Sequence, residues 1–251
     1  LEPVRISREL ELDDVTLTYP DQEEPALAGL STRIARGEWV GVVGPTGAGK
    51  TTLVDILLGL LIPDQGIIRV DGRPLDMREE ARSWRAGVGY VPQSIFLSDD
   101  SIALNIAFGV AQEEVDRERV HEVAALAQLD EFIRRLPDGY DTLVGERGVR
   151  ISGGQRQRIG VARALYRDPS LLLFDEATSA LDGPTERGLM QAVYGLGEER
   201  TLVIVAHRLQ TVKRCDRILL LQDGRLADEG EFEALMERNE LFRVMARGVE
   251  L

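Results

Sequence analysis

The run Gly44-Pro45-Thr46-Gly47-Ala48-Gly49-Lys50-Thr51 fits the spacing G-x-x-x-x-G-K-[ST] at every fixed position. Its chemistry is phosphate binding. The glycines let successive backbone N–H groups turn inward around phosphate oxygens, and the start of the following helix adds a favourable dipole. Lys50 is placed to reach β- and γ-phosphates, and the Thr51 hydroxyl to ligate Mg2+. The alternative is a Gly-rich turn that merely joins a strand to a helix. The apolar run Trp39–Val43 ahead of the loop and the helical pattern Lys50–Leu60 behind it turn the match into an expected nucleotide-phosphate site.

A second candidate is Leu171-Leu172-Leu173-Phe174-Asp175-Glu176. A buried strand ending in two carboxylates presents them at the C-terminal edge of a sheet, where ligands bind in α/β folds. There Asp175 can hold a Mg2+ shell, while Glu176 can orient and deprotonate an attacking water. Alone, such a strand also reads as one entering a solvated loop; beside a phosphate loop it reads as catalytic. The third candidate is Ile151-Ser152-Gly153-Gly154-Gln155, ahead of the helical pattern Arg156–Arg167. A Ser and two glycines at a helix start can form an amide-lined anion site, and they equally describe an ordinary N-cap. Two anion sites so far apart in one chain make sense together if one of them serves a partner subunit.

The elements that must position these groups alternate short apolar runs with helical patterns, the mark of a mostly parallel α/β sheet. Leu10–Tyr19 alternates as a half-exposed strand, and Trp39–Val43 is a compact buried one. Ile67–Val70 followed by Asp71-Gly72 predicts a hairpin strand. Val88–Val91, Leu171–Phe174, Leu202–Val205 and Ile218–Leu221 have strand length and apolarity. From Ser101 to Arg167 strand signals give way to helical periodicity, as in Val115–Leu129, which predicts a helical insertion.

Composition narrows the function classes. Across 251 residues, 43% are hydrophobic and 29% charged, which suits one large domain with a buried core. Thirty Lys and Arg against 43 Asp and Glu leave a formal charge of −13, which opposes a nucleic-acid backbone as the main partner. A small phosphate site needs only a few residues and is not excluded. One cysteine, Cys215, rules out an intrachain disulfide or a Cys-based zinc site, and His121 and His207 are too few for a His-dominated metal site. This is the composition of a soluble protein of a reducing compartment. No stretch has the roughly 18 consecutive apolar residues of a membrane-spanning helix. Leu1-Glu2-Pro3-Val4-Arg5 lacks both a signal-peptide pattern and a Met, as expected of a fragment, a processed form or a start outside the numbered residues.

Together, Gly44–Thr51, Ile151–Gln155 and Phe174–Glu176 resemble the ATP-binding domain of ABC transporters. The similarity runs from about Leu10 to the C-terminal helices. Ser152-Gly153-Gly154-Gln155 is similar to the motif that separates this family from other phosphate-loop ATPases. Ile151 stands where the family usually has Leu, a volume-conserving change. The resemblance implies ATP and Mg2+ as ligands. Gly44, Pro45, Thr46, Gly47, Ala48, Gly49, Lys50, Thr51 and Thr52 would hold the phosphates. Ser152, Gly153, Gly154 and Gln155 would meet the nucleotide of a second copy, and Thr51, Gln93 and Asp175 would surround Mg2+.

Further matches follow residue by residue. Tyr19 falls where the family keeps an aromatic residue that stacks on adenine; the alternative is an edge-strand tyrosine. Gln93, in Val91-Pro92-Gln93, resembles the glutamine that reaches Mg2+ and water and links to the transmembrane partner. Asp182 resembles part of a loop that crosses the dimer interface, and His207 the histidine that contacts the γ-phosphate. The implied catalytic set is Lys50, Gln93, Glu176 and His207, whereas His121, among acidic neighbours on a helical pattern, reads as a surface residue. Thr142-Leu143-Val144-Gly145-Glu146-Arg147-Gly148 is similar to a loop carried by exporters, with Leu143 where Glu is common. Ile95–Gly109 faintly resembles exporters that flip lipids or lipid-linked sugars.

The expectation is therefore a P-loop NTPase with a RecA-like α/β core, forming a single domain over residues 1–251. An antiparallel β subdomain lies near its N-terminus, and a helical subdomain is inserted at about Phe96–Ile159. The implied function is ATP hydrolysis powering export through dimerisation, as homodimer or heterodimer. The implied partners are a second such domain and transmembrane domains fused N-terminally, with no nucleic acid, at the cytoplasmic face of the cell membrane. Two alternatives are a soluble ABC ATPase of a nucleic-acid machine and a separate ATPase subunit of an importer. The first predicts a basic surface or a long coiled-coil insertion, which the sequence does not display.

Overall fold

The computed structural model describes residues 2–145, 149, 151–178, 181, 183–195 and 200–247. The described chain runs β1 (Glu9–Leu17), β2 (Leu27–Ala35), β3 (Trp39–Val43), α1 (Lys50–Leu57), β4 (Gln65–Val70), β5 (Arg73–Pro74), α2 (Ala81–Ala86) and β6 (Val88–Val91). It continues through α3 (Ile102–Ile106), α4 (Arg117–Leu126), α5 (Asp130–Arg134), α6 (Gly153–Tyr166), β7 (Leu171–Asp175), α7 (Gly183–Tyr194) and β8 (Thr201–Val205). The last elements are α8 (Leu209–Val212), β9 (Arg217–Gln222), β10 (Arg225–Gly230), α9 (Phe232–Arg238) and α10 (Glu240–Ala246). Two compact units result. The first combines Leu1–Val88, Ser170–Glu176 and Glu198–Leu251, and the second Gly89–Pro169 and Ala177–Gly197. The first boundary between them falls within β6, after Val88.

The first unit holds an antiparallel sheet of order β2-β1-β4-β5. In β2 the buried residues Leu30, Thr32 and Ile34 alternate with exposed neighbours, as a one-sided sheet requires. In β1 the buried set is Leu10 and Leu12, then Val15 and Leu17, so the alternation slips by one residue. The register shift between Leu12 and Val15 absorbs that slip, with Asp14 at φ 54, and keeps both halves of the strand facing inward. The expected hairpin at Asp71-Gly72 is present, pairing Val70 with Arg73.

In the other sheet of this unit the neighbours run β10-β9-β3-β8-β7. β9, β3, β8 and β7 are mutually parallel, with Gly41 aligned to Ile204 on one side and Ile218 on the other. All five residues of β3 and of β8 are buried. Continuous apolar runs, rather than alternation, mark strands covered on both faces. Parallel order has one consequence for function: the C-terminal ends of β3, β8 and β7 emerge side by side. β10 closes the edge as an antiparallel hairpin through Asp223 and Gly224, at φ 49 and 71.

The second unit is helical, with α6 packed against α3, α4 and α7. Its core is built from residues such as Ile102, Ile106, Val120, Val123, Ile159 and Leu165, all fully buried. Helix α4 occupies the expected pattern at Val115–Leu129, starting at Asp116, whose side chain accepts the Arg119 N–H. The sequence placed the helical segment at Phe96–Ile159; packing groups a wider span that includes α7. Among the described residues no helix is long and apolar enough to cross a membrane.

Candidate functional site

Gly44 to Gly49 turn the chain from buried β3 into α1, and two of these glycines are sterically required. At Gly44 an added Cβ would lie 2.2 Å from the Leu221 carbonyl oxygen. Gly49, the N-cap of α1, sits at φ 95, and its Cβ would come 2.5 Å from the Ala26 oxygen. No side chain caps this helix, and its first turn contains no acidic residue. The leading amides are therefore left for an anion. Lys50 is buried, and its Nζ donates to the carbonyls of Gly44 and Pro45 at 2.8 and 2.9 Å. Burial pushes its pKa below the ordinary lysine value, while the charges of Glu176 and Asp175 pull the other way. A partly desolvated ammonium ringed by carbonyls and flanked by two carboxylates is poised for exchange onto a stronger anionic ligand.

Asp175 is the last residue of β7, and Glu176 follows in the left-handed region at φ 50. A non-glycine residue held there carries local strain, which the Glu176 N–H relieves in part by donating to the Val205 carbonyl at 3.0 Å. The turn aims the Glu176 carboxylate toward the end of β8. His207, two residues beyond β8, lies with Nε2 2.6 Å from Glu176 Oε1. A ring N–H donated to the carboxylate fits that distance. Glu176 is mostly buried and His207 about half exposed.

These groups share one cleft of about 550 Å3 lined by Tyr19, Thr46, Gly47, Gly49, Lys50, Thr51, Thr52, Glu176 and His207. The size suits a small ligand such as a nucleotide. At one wall the Tyr19 hydroxyl lies 3.2 Å from Thr52 Oγ1, holding the ring across the start of α1. Thr51 lines this cleft, and Asp175 directly precedes Glu176 at the end of β7. A hydroxyl and a carboxylate are oxygen donors of the kind that suit Mg2+, which takes one or two carboxylates and completes its shell with phosphates and water. Among the described residues no group of three or more His, Cys, Asp or Glu gathers as a resident metal cluster.

Sequence reasoning missed part of this lining: Gln22, Glu24, Pro25, Ala26, Asp223 and Gly224. The segment Ala26–Leu27 enters β2, whose Ala and Gly residues weaken its strand pattern. Asp223-Gly224, between an apolar run and a polar stretch, is a hairpin signal that could have been found. It brings the Gly224 carbonyl to the Ala28 N–H at 2.8 Å, tying the turn to this wall.

The second unit carries the remaining expected residues. Ser152 caps α6: its Oγ accepts the Gln155 N–H at 3.2 Å, and Gln155 Oε1 accepts the Ser152 N–H at 2.9 Å. This reciprocal box is what the N-cap reading describes. Gly153 is exposed, and Gly154 is packed against Thr185. The Gln93 side chain is exposed, and its carbonyl accepts an N–H from Gln157. His121 is at the surface, its ring 4.0 Å from that of Tyr140. Asp182 and Glu146–Gly148 lie outside the described residues.

Residues 27–179 match the family model described as ABC transporter. The chain is 43% identical, over 93% of its length, to an ATP-dependent lipid A-core flippase of Chromobacterium violaceum, covering 39% of that protein. A protein of the same name from Cupriavidus metallidurans is 41% identical over 97% of the chain, which covers 41% of it. The chain thus spans about two fifths of the length of these curated relatives. Among solved structures, a bacterial Atm1-family ABC exporter with ATP bound superposes with TM-score 0.87 and 40% identity, over 99% of this chain and 43% of that one. With its P-loop NTPase fold of mixed α/β sheets, the chain belongs to the ABC transporter family, as its nucleotide-binding ATPase domain.

Proposed function

We propose that this chain binds ATP with Mg2+ and hydrolyses it to drive an exporter at the cytoplasmic face of the cell membrane. The observation that carries the reading is the meeting of three parallel strand ends in one cleft: the phosphate loop after β3, Glu176 after β7 and His207 after β8. Lys50 leaves the Gly44 and Pro45 carbonyls for the β- and γ-phosphates, and the uncapped amides of α1 hold the same oxygens. Tyr19 stacks on the base. Glu176 takes the proton of the attacking water as general base, and His207 holds that carboxylate in place and faces the γ-phosphate. Thr51, Asp175 and Gln93 are the residues that would hold Mg2+, which supplies charge neutralisation on the phosphates.

The phosphates of one copy are closed over by Ser152–Gln155 of a second, so ATP binding favours the dimer and hydrolysis releases it. Membrane domains that complete the transporter receive this motion. The exposed apolar residues Phe96, Leu143 and Val149 of the second unit suit such contact. Lipid or lipid-linked cargo is the reading that the named relatives and the stretch Ile95–Gly109 support.

Glu176→Gln tests the site and the dimer together. It keeps size and hydrogen-bonding shape while removing basicity. ATP should still bind, hydrolysis should fall by about 10²–10⁴-fold, and ATP but not ADP should convert monomer to dimer in size-exclusion chromatography. Hydrolysis at the parent rate removes Glu176 as the base. A strictly monomeric variant in the complete protein removes the shared site.

A further inference from the structure

Beyond its cap, α6 presents Gln157, Gly160 and Arg163, three residues spaced three apart and so aligned along one side of the helix. Each grips the same short segment. Gln157 Nε2 donates to the Gln93 carbonyl at 2.6 Å. Gly160 lies where an added Cβ would come within 2.3 Å of Ile95 Cδ1, so the buried Ile95 side chain rests on bare helix backbone. Arg163 Nη1 donates to the Phe96 carbonyl at 2.9 Å, and its Nε to the Asn105 carbonyl at 2.8 Å. Residues 93–96 form neither helix nor strand, so their backbone takes its shape from these partners.

Gln157 stands out within that row. It is only 5% exposed, and its Oε1 is buried with no hydrogen-bond partner. An orphaned buried acceptor is a cost that an apolar side chain of the same length would avoid. What glutamine contributes here, and leucine or methionine could not, is the N–H held on the Gln93 carbonyl. That bond sets the backbone from which the Gln93 side chain projects. The helix that makes it is also the helix whose first turn is Ser152–Gln155.

We infer that Gln157 is a positioning residue for hydrolysis: it aims Gln93 by holding its carbonyl, and it ties that aim to the register of α6. The inference rests on the reading of Gln93 given above. Gln157→Met keeps length and volume while removing the N–H, and it is tested in the complete protein. The kcat should fall roughly 10-fold, as when an outer partner of a metal-site residue is removed, with ATP affinity within about twofold of the parent. Binding of Mn2+ in the presence of a non-hydrolysable ATP analogue, followed by electron paramagnetic resonance, should weaken in parallel. In a Gln93→Ala background the same substitution should cost less than about twofold, because no side chain remains to be aimed. Circular dichroism checks the fold, and Gln157→Leu replaces the Met variant if that one does not fold.

A parent-like kcat and Mn2+ affinity for Gln157→Met, with Gln93→Ala impaired, overturns the positioning role. So does an equal loss in both backgrounds, which is what a purely structural contact gives. A parent-like Gln93→Ala overturns the reading of Gln93, and the inference with it.

Discussion

Two helices of this chain begin at glycine-containing turns, and they begin in opposite ways. Helix α1 starts after Gly49 with no side-chain cap, and its opening residues line the cleft. Helix α6 starts at Ser152, where the Ser and Gln155 side chains each satisfy a backbone N–H of the other. Four N–H groups at any helix start lack intrahelical partners, so what the local side chains leave unsatisfied decides what the helix can bind. The start of α1 is open to an anion by construction. That of α6 is already partly satisfied, which suits the proposed contact with a second copy. The two also differ in support: α1 follows a strand buried along its whole length, whereas Ser152 and Gly153 are exposed.

The largest way to break this comparison is Lys50→Ala. Removing the ammonium that is proposed to meet the β- and γ-phosphates should lower hydrolysis by about 10²–10³-fold, read from phosphate release. Should α6 rather than α1 be the principal anchor, that loss would appear with Ser152 variants instead.

Next in size is Gly49→Ala. It forces a side chain into the left-handed region and against the Ala26 carbonyl, so it should destabilise the fold by about 1–3 kcal/mol and weaken nucleotide binding as well. Thermal melting and nucleotide titration on the same sample check both effects. An unchanged melting temperature would mean that the loop relaxes freely.

Ser152→Ala removes the cap of α6 and should cost about 1 kcal/mol of stability, while nucleotide affinity of the single chain stays within twofold. The smallest effect is expected of Gly153→Ala. Gly153 has Leu181 as its nearest neighbour at 3.8 Å and lies in the first turn of α6, so alanine should be neutral or stabilise by up to about 0.5–1 kcal/mol. The comparison sharpens if that same variant weakens ATP-dependent dimerisation, since the added methyl would stand where the proposed dimer brings the partner's nucleotide. A Gly153→Ala protein that is destabilised as strongly as Gly49→Ala would show that both glycines serve the fold alone.

What was legible in the sequence is what depends on short-range chemistry. The fixed residues of Gly44–Thr51 specify a phosphate loop because glycine backbone freedom and a Lys-Thr pair act within a few positions. The strands Trp39–Val43 and Val88–Val91 were legible to the residue. The first is a short apolar run between breakers, as a strand covered on both faces requires, and the second is a short stretch of strand length that alternates between buried and half-buried residues. Ser152 and two glycines ahead of a helical pattern allowed either a cap or an anion site, and the reciprocal box with Gln155 became visible only in the folded chain. β2 and β10 were not legible: one is diluted by Ala and Gly, and the other is a polar edge whose partner, not its own pattern, makes it a strand.

Tertiary structure alone decided the rest, because strand order and backbone direction are properties of the whole sheet. Glu176 and His207 are 31 residues apart in sequence, and only the parallel pairing of β7 with β8 brings Nε2 within 2.6 Å of Oε1. The left-handed turn at Glu176, the Ala26 and Gly224 wall of the cleft, and the grip of Gln157 on the Gln93 carbonyl belong to the same class. Each joins residues too distant in sequence for local propensity to connect, and each exists because the packed sheet or helix holds its backbone groups where a partner must meet them.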